Sequence, residues 1–409
     1  GFFQGLGTMM PSAISQIIEQ IINAIISVWA AYVLTGYGKR IGAVLGDPDH
    51  YGAAYGAAGG TLGTNLGSVA ALLFVLFIFF AYMHVFKRQM KRERNAKVDP
   101  FAYTLKILII TIIPVLLSTT VYNISGIIDQ GIFKNVALLQ NYTDHQIDLW
   151  WGVYTGKYKL LINVPISIAS AMAASSVPTL TASFAADDME SVRSQINAAN
   201  RFVMVIAFPC AIGLAVLGKP IFMLLFPGTA ATADMAAAMM WVGAMAVVFY
   251  AMSTLSNGLL QGINRLKVPV VNAAIALVAH IIVLIVLMLF LRLNIYAVVI
   301  ANMFFACMMC ILNSLAIRKY SGYKQEIVKT FLIPAGASVI MGVAAFFVYK
   351  GIYLVIKSNA IATILAILIA IIVYAVTLLL CKGLTEEEIL RFPKGALLVR
   401  TAKKLHLLK

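Results

Sequence analysis

Ten runs of about twenty mainly apolar residues follow one another along this chain of 409 residues, near 11–35, 52–86, 104–128, 160–183, 202–218, 235–260, 268–291, 295–317, 331–349 and 360–381. Twenty helical residues rise about 30 Å, the thickness of a bilayer's hydrocarbon core. Runs of this number and length point to a polytopic all-α integral membrane protein. A β-barrel would alternate polarity over strands of about ten residues. Composition agrees. The chain is 61% hydrophobic and 11% charged, with a mean hydropathy of +0.91, whereas soluble domains carry about 25% charged residues. The four cysteines, Cys210, Cys307, Cys310 and Cys381, lie in or at the ends of apolar runs and form no disulfide framework. Cys307-Met308-Met309-Cys310 has no histidine or carboxylate beside it and reads as core packing. No phosphate loop, zinc motif or GxSxG is present, so neither enzyme chemistry nor a cofactor is expected.

Charge sets an expected orientation. The segment after the second run, Lys87–Lys97, holds six basic residues and one acidic residue, which places it in the cytoplasm. Alternation then puts 22 of the 31 Lys and Arg inside, together with both chain ends. The net charge of +15 is thereby explained by anchoring to an anionic inner leaflet, with no nucleic acid required. The tail from Thr385 to Lys409 reads as an interfacial amphipathic segment. The longest external loop is expected at 129–158, and 184–201 reads as a short amphipathic helix on the inner face.

A short motif recurs. Gly1-Phe2-Phe3-Gln4-Gly5 with Pro11 precedes the first run, and Gly258-Leu259-Leu260-Gln261-Gly262 with Pro269 precedes the seventh. Transporters are often built from such repeats. A six-span repeat divides the chain into the last two spans of an N-terminal lobe (1–97), a complete six-span C-terminal lobe (98–325), and two extra spans with the tail (326–409). On this reading four further spans are expected ahead of Gly1.

Ionisable and polar groups at membrane depth are costly and mark candidate sites. Ser12, Gln16, Glu19, Asn23 and Ser27 recur every three or four residues, on one face of the first span. That face is either the wall of a water-filled cavity or an interhelical hydrogen-bond seam. Lys157 and Lys159 open the fourth span, which also carries Asn163, Pro165 and Pro178. Each lysine can meet a phosphate or snorkel to the outer headgroups. The glycines Gly52, Gly56, Gly60 and Gly59, Gly63, Gly67 predict close helix packing. Asp129 with Asn123 reads as a cation site or as an exposed loop carboxylate, and His280 as a proton relay or a core histidine.

The motifs Gly1–Gly5 with Pro11, Tyr154-Thr155-Gly156-Lys157-Tyr158, Ser176-Val177-Pro178, Asn200-Arg201-Phe202, Phe208-Pro209 and Leu225–Gly228, in this order, resemble the polysaccharide-exporter branch of the multidrug/oligosaccharidyl-lipid/polysaccharide exporter superfamily. Among its groups the chain is most similar to the stage V sporulation protein B-like one, relatives of the lipid II flippases. The resemblance implies fourteen spans in two lobes, a central cavity, alternating access, and a substrate with a polyprenyl tail, a diphosphate and sugars. It implies that Lys157 meets the diphosphate; on this reading the polar positions Gln16, Glu19, Asn23 and Asn163 are expected to line the cavity. The implied partners are a lipid-linked oligosaccharide, membrane lipids and a coupling ion, Na+ or H+, with a monomer in the cytoplasmic membrane. Some relatives couple to sodium through acidic and Asn residues in spans seven and eleven. Asn272 stands at one such place, whereas Ala276, one turn later, is no carboxylate. The rival reading is a cation-coupled multidrug exporter of the same superfamily. A glycosyl polymerase or ligase would need a large external catalytic loop.

Overall fold

The computed structural model describes residues 10–92, 100–227 and 230–383, together with Phe3, Arg400 and Lys403. Among them there are helices and no strands. The chain divides into two compact units, Gly1–Phe101 and Ala102–Lys409. The amphipathic tail, Arg400 and Lys403 apart, lies outside the described residues.

The first unit is a hairpin of two long helices, α1 (Met10–Leu45) and α2 (Pro48–Arg92). Its turn is closed by Gly46 at φ +85° and by the Asp47 N–H donating to the Gly42 carbonyl at 2.9 Å. The expected glycine packing is present. A Cβ at Gly59 would stand 2.5 Å from the Ala30 carbonyl oxygen, and one at Gly67 would stand 2.8 Å from that of Glu19. Gly52, Gly56 and Gly63 are as tightly met, by Lys39, Thr35 and Ser27, while Gly60 faces open space. Small residues let two backbones approach where lipid gives no hydrophobic drive to associate.

In the second unit, α3 (Phe101–Leu139) and α4 (Asp144–Val153) are joined by the four residues Gln140–Thr143. The 129–158 stretch is therefore almost wholly helical, in place of the expected long loop. Thr143 caps α4 in a reciprocal box with Gln146. A π-helical turn, Tyr154–Tyr158, leads without interruption into α5 (Lys159–Ala185). Helix α6 (Met189–Val216) starts at an Asp188 cap, so the expected inner-face helix at 184–201 forms mainly its first turns. The short α7 (Gly218–Leu225) follows. The sixth run is broken: α8 (Ala230–Gly243) and α9 (Met245–Gly262) meet at a 54° bend. Then come α10 (Lys267–Leu289), α11 (Ile295–Ser321), a second π-turn (Val328–Leu332), α12 (Ile333–Ile356) and α13 (Asn359–Leu380). Eight described helices are long and apolar enough to cross a membrane, or nine with the bent pair.

Helix α9 runs through the middle of this unit, against α5, α6 and α11. Its glycines supply the closest contacts. A Cβ at Gly258 would lie 2.7 Å from that of Ala173, and one at Gly262 would lie 2.8 Å from the Leu180 side chain. The glycines of the recurring motif thus let α9 touch α5. Among the buried apolar side chains, polar ones find partners on neighbouring helices. The Asn313 amide donates to Ser256 at 2.9 Å and to Asn257 at 2.8 Å, and accepts from Asn272 at 2.9 Å. Outside, large apolar side chains such as Val278, Ile282, Leu368 and Ile372 stand exposed, as they would toward lipid. Helix α13 and the residues after it are tied to α6 by Tyr374 Oη donating to the Val205 carbonyl at 2.7 Å and Arg201 Nη2 donating to that of Gly383 at 2.8 Å.

Candidate functional site

The π-turn shapes a polar cavity in the second unit. A π-turn fits one extra residue into a helix, a feature frequent at functional sites. Here it stacks Tyr154 on Tyr158, with ring centroids 5.6 Å apart and both side chains buried. Tyr158 Oη donates to the Gly243 carbonyl at 3.0 Å, at the end of α8 where the broken span frees backbone acceptors. Tyr154 Oη is buried and has no hydrogen-bond partner among the described residues. Beside these rings opens a cavity of about 290 Å³. Its walls come from α3 (Asn123, Ser125, Gly126), the π-turn, α5 (Lys159, Asn163), α9 (Tyr250, Thr254) and α11 (Asn302, Phe305). The Lys159 ammonium sits 5.1 Å from the centre of the Tyr154 ring. Among the described residues lining the cavity it is the one basic side chain.

Behind that wall lies a buried polar cluster. Asp129 of α3 and His280 of α10 are both fully buried. His280 Nε2 stands 2.5 Å from Asp129 Oδ1, and Asn302 Nδ2 donates to Asp129 Oδ2 at 2.7 Å. His280 Nδ1 lies 2.8 Å from the Ala301 carbonyl oxygen. Asn302 also accepts from Tyr250 Oη at 3.0 Å, so one amide links the cluster to the cavity lining. The carboxylate read from the sequence as an exposed loop residue or a cation site is thus buried and paired with the histidine read as a relay.

The lipid II flippase MurJ family profile matches residues 41–370. The chain belongs to the lipid II flippase MurJ family. The lipid II flippase MurJ of Bacillus subtilis (strain 168) is 23% identical over 357 residues, which cover 84% of this chain and 61% of that protein. The chain thus spans about three fifths of that relative's length. A solved structure of lipid II flippase MurJ, in an inward closed conformation, superimposes with a TM-score of 0.55 at 17% identity, covering 84% of this chain and 65% of that one. The protein is accordingly a multi-pass helical membrane protein of the MurJ family.

The expected site residues fall in three places. Glu19 and Asn23 turn toward the other helix of the hairpin. Ser68 Oγ donates to Glu19 Oε1 at 2.9 Å, and Asn23 Oδ1 accepts from Ser27 at 2.7 Å and Thr64 at 3.3 Å. Within the first unit these side chains bond across the hairpin, while Gln16, on the same face, is exposed. Lys157 leaves the π-turn toward α8, where its ammonium hydrogen-bonds Thr232 and lies 5.8 Å from the Phe226 ring centre. It is not among the residues lining the cavity, which takes Lys159 and Asn163 instead. Asn272 pairs with Asn313, and His280, two turns further along α10, is the residue that meets Asp129. Asn302 and Tyr250 escaped sequence reasoning altogether. Neither belongs to a motif, and only the packing of α3, α9, α10 and α11 brings them to Asp129 and the cavity.

Proposed function

We propose that the protein is a flippase that carries a polyprenyl-diphosphate-linked saccharide from the inner to the outer leaflet of the bacterial cytoplasmic membrane by alternating access. Membership of the MurJ family supports the class. The observation that carries the site is the polar cavity with Lys159 at its wall inside a largely apolar helical unit. A diphosphate needs a cationic, donor-rich site away from bulk water. Lys159, Asn163 and the unpartnered Tyr154 hydroxyl supply three donors there. Lys157, two residues away in the π-turn, offers a second cation from the α8 side. Gln16, Glu19 and Asn23 provide a polar face for sugars or water on the hairpin. An apolar groove of about 540 Å³ between α5, α6, α12 and α13, lined by Pro165, Pro209, Met341 and Ile371, suits a prenyl chain. Within the family, the ordered motifs from Tyr154 to Gly228 support the stage V sporulation protein B-like branch. The inside location of the C-terminus and a monomeric state belong to the same proposal.

The test reconstitutes the full chain in liposomes with a fluorescent lipid II and follows its loss from an external quencher. A hydrogen bond to a charged group contributes about 1.5–3 kcal/mol, so Lys159→Ala should slow translocation roughly tenfold or more. Lys157→Ala should have a smaller effect. Lys159→Ala and Asn163→Ala variants that both flip at the unaltered rate would remove the site. Cation-driven dye export without lipid movement would favour the multidrug-exporter reading.

A further inference from the structure

A second groove in the same unit shares no lining residue with the polar cavity. It encloses about 660 Å³ where α9, α11 and the π-turn Val328–Leu332 meet α6. Phe208, Met252, Leu315 and Phe331 line it, and it ends at Arg318 and Lys324. Ile311, Leu315 and Ile327 are more than half exposed, so the groove opens outward. From Cys310 to Arg318 it follows α11 for eight residues, a rise of about 12 Å. One leaflet supplies about 15 Å of hydrocarbon, whereas a spanning helix needs about 30 Å. The groove therefore has the depth of a lipid chain in one leaflet and is too short to seat a partner's membrane span.

Its polar end is prepared for an anion. Among the described residues the side chains of Arg318 and Lys324 have no hydrogen-bond or ion-pair partner. Gln325 also lines this end, and its Nε2 is a buried donor with no partner, although its carbonyl oxygen accepts from Asn200 at 3.4 Å. A buried donor left unmet is costly. Two cations and an unmet donor at the end of an apolar groove match a phosphate joined to an acyl chain. Next to them opens a polar recess of about 570 Å³, which shares Tyr323 and Lys324 with the groove. Its other charged residues are Arg193, Glu190 and Glu326. Arg193 Nε is taken up by the Ser321 carbonyl at 3.0 Å. Glu326 accepts from Asn197 at 3.3 Å and stands 3.8 Å from the Lys329 ammonium. Glu190, in the first turn of α6, is exposed, and its carboxylate has no partner among the described residues.

We propose that groove and recess together bind one phosphatidylethanolamine from the leaflet at the basic helix ends, the inner one under the positive-inside rule. An acyl chain lies on Met252, Leu315 and Phe331. The phosphate meets Arg318, Lys324 and Gln325. The terminal ammonium lies between Glu190 and Glu326. Chain, phosphate and amine follow one another in this lipid as apolar groove, basic end and carboxylates do in the protein. An ammonium donates hydrogen bonds to carboxylates, which the quaternary nitrogen of choline cannot. A glycerol headgroup brings no positive charge to them. Bound there, the lipid ties α11 to α6 across the segment 322–326. A polyprenyl tail is far longer than this groove. The binding does not depend on the flippase reading.

The test is native mass spectrometry of the full chain in detergent, offered phosphatidylethanolamine, phosphatidylglycerol and phosphatidylcholine with matched acyl chains. The expected result is one phosphatidylethanolamine per chain, held roughly tenfold more tightly than the other two, the effect of a hydrogen bond between charged groups. Arg318→Ala with Lys324→Ala should weaken all three lipids. Glu190→Gln with Glu326→Gln should remove the preference for ethanolamine and leave a phospholipid bound. Ser314→Trp, which fills the groove without altering charge, should block binding. Equal retention of the three lipids by the wild-type chain, or a preference for phosphatidylglycerol, overturns the proposal however the variants fold. A preference that survives both charge variants overturns the site. Displacement by an equimolar polyprenyl diphosphate overturns it in favour of a substrate tail, and a dimeric mass that Ser314→Trp returns to a monomer overturns it in favour of a second copy of the chain.

Discussion

A carboxylate's environment decides its work, as Asp129 and Asp188 show. Asp129 is sealed inside and paired with a histidine. Asp188 caps α6 in the open, accepting from the Ser191 N–H at 3.0 Å. The backbone donor at Ser191 holds the Asp188 carboxyl below its usual value, with its side chain adding to the effect. A depressed folded value means that the cap is in force above the ordinary aspartate range, about 3.9, and is lost as pH falls through the folded value. Amide exchange at Ser191 should therefore accelerate below about pH 4 and be insensitive to pH in an Asp188→Asn chain, once intrinsic exchange is corrected. The sequence showed Asp129 and His280 as separate candidates but could not join them. They are 151 residues apart, and no local spacing reports such a contact. The placing of Lys157 and Lys159 was hidden for a different reason. Spacing alone does not show the π-turn, whose extra residue rotates the helix after it by about 100° and sets Lys159 at the cavity wall.

Elements were more legible than side chains. Twenty-residue apolar runs gave the spans, because a bilayer leaves the backbone no choice but helix. The glycine spacing in α2 gave the face that meets α1. That face makes a sharp prediction. A Cβ at Gly63 would overlap Ser27 and its backbone, so Gly63→Ala should cost about 1–3 kcal/mol through forced separation of the helices. The paired Ser27→Cys and Gly63→Cys chain should nevertheless cross-link within the hairpin under oxidation. Thermal unfolding in detergent reads the first, and mobility on a non-reducing gel the second; an unshifted unfolding temperature together with no cross-link would show that the helices do not meet there. What the runs hid was continuity and interruption. Residues 129–158 carry enough polar groups to look like a loop, yet Thr143 and Gln146 restart a helix after four residues. The run 235–260 looks uniform, yet it bends by 54° around Ala244. Hydropathy averages over both.

For the molecule as a whole, the distribution of Lys and Arg makes the prediction. If the basic segments lie inside, Asn264 between α9 and α10 faces the cytoplasm, and Asn141 between α3 and α4 faces outward. Both have φ near +60°, at 57° and 64°, as tight-turn asparagines often do. A membrane-impermeant thiol reagent added to whole cells should label an Asn141→Cys chain, and an Asn264→Cys chain only after lysis; the reverse pattern would invert the orientation. Of the recurring glycine–glutamine motif, the second copy lets α9 settle on α5 at Ala173 and Leu180, while the first copy, Phe3 apart, lies outside the described residues. The contact between Tyr158 and Gly243 reaches beyond this one chain. The hydroxyl satisfies a carbonyl freed by the broken span, and any side chain at 243 would collide with it and with Val299, whose Cγ1 would lie 2.5 Å away. Evolution cannot then alter the two positions one at a time. Relatives that lose the glycine should lose the tyrosine with it, and those that straighten the span should be free of both. The bend would be inherited as a two-letter unit, visible as covariation between distant columns of the family's sequences.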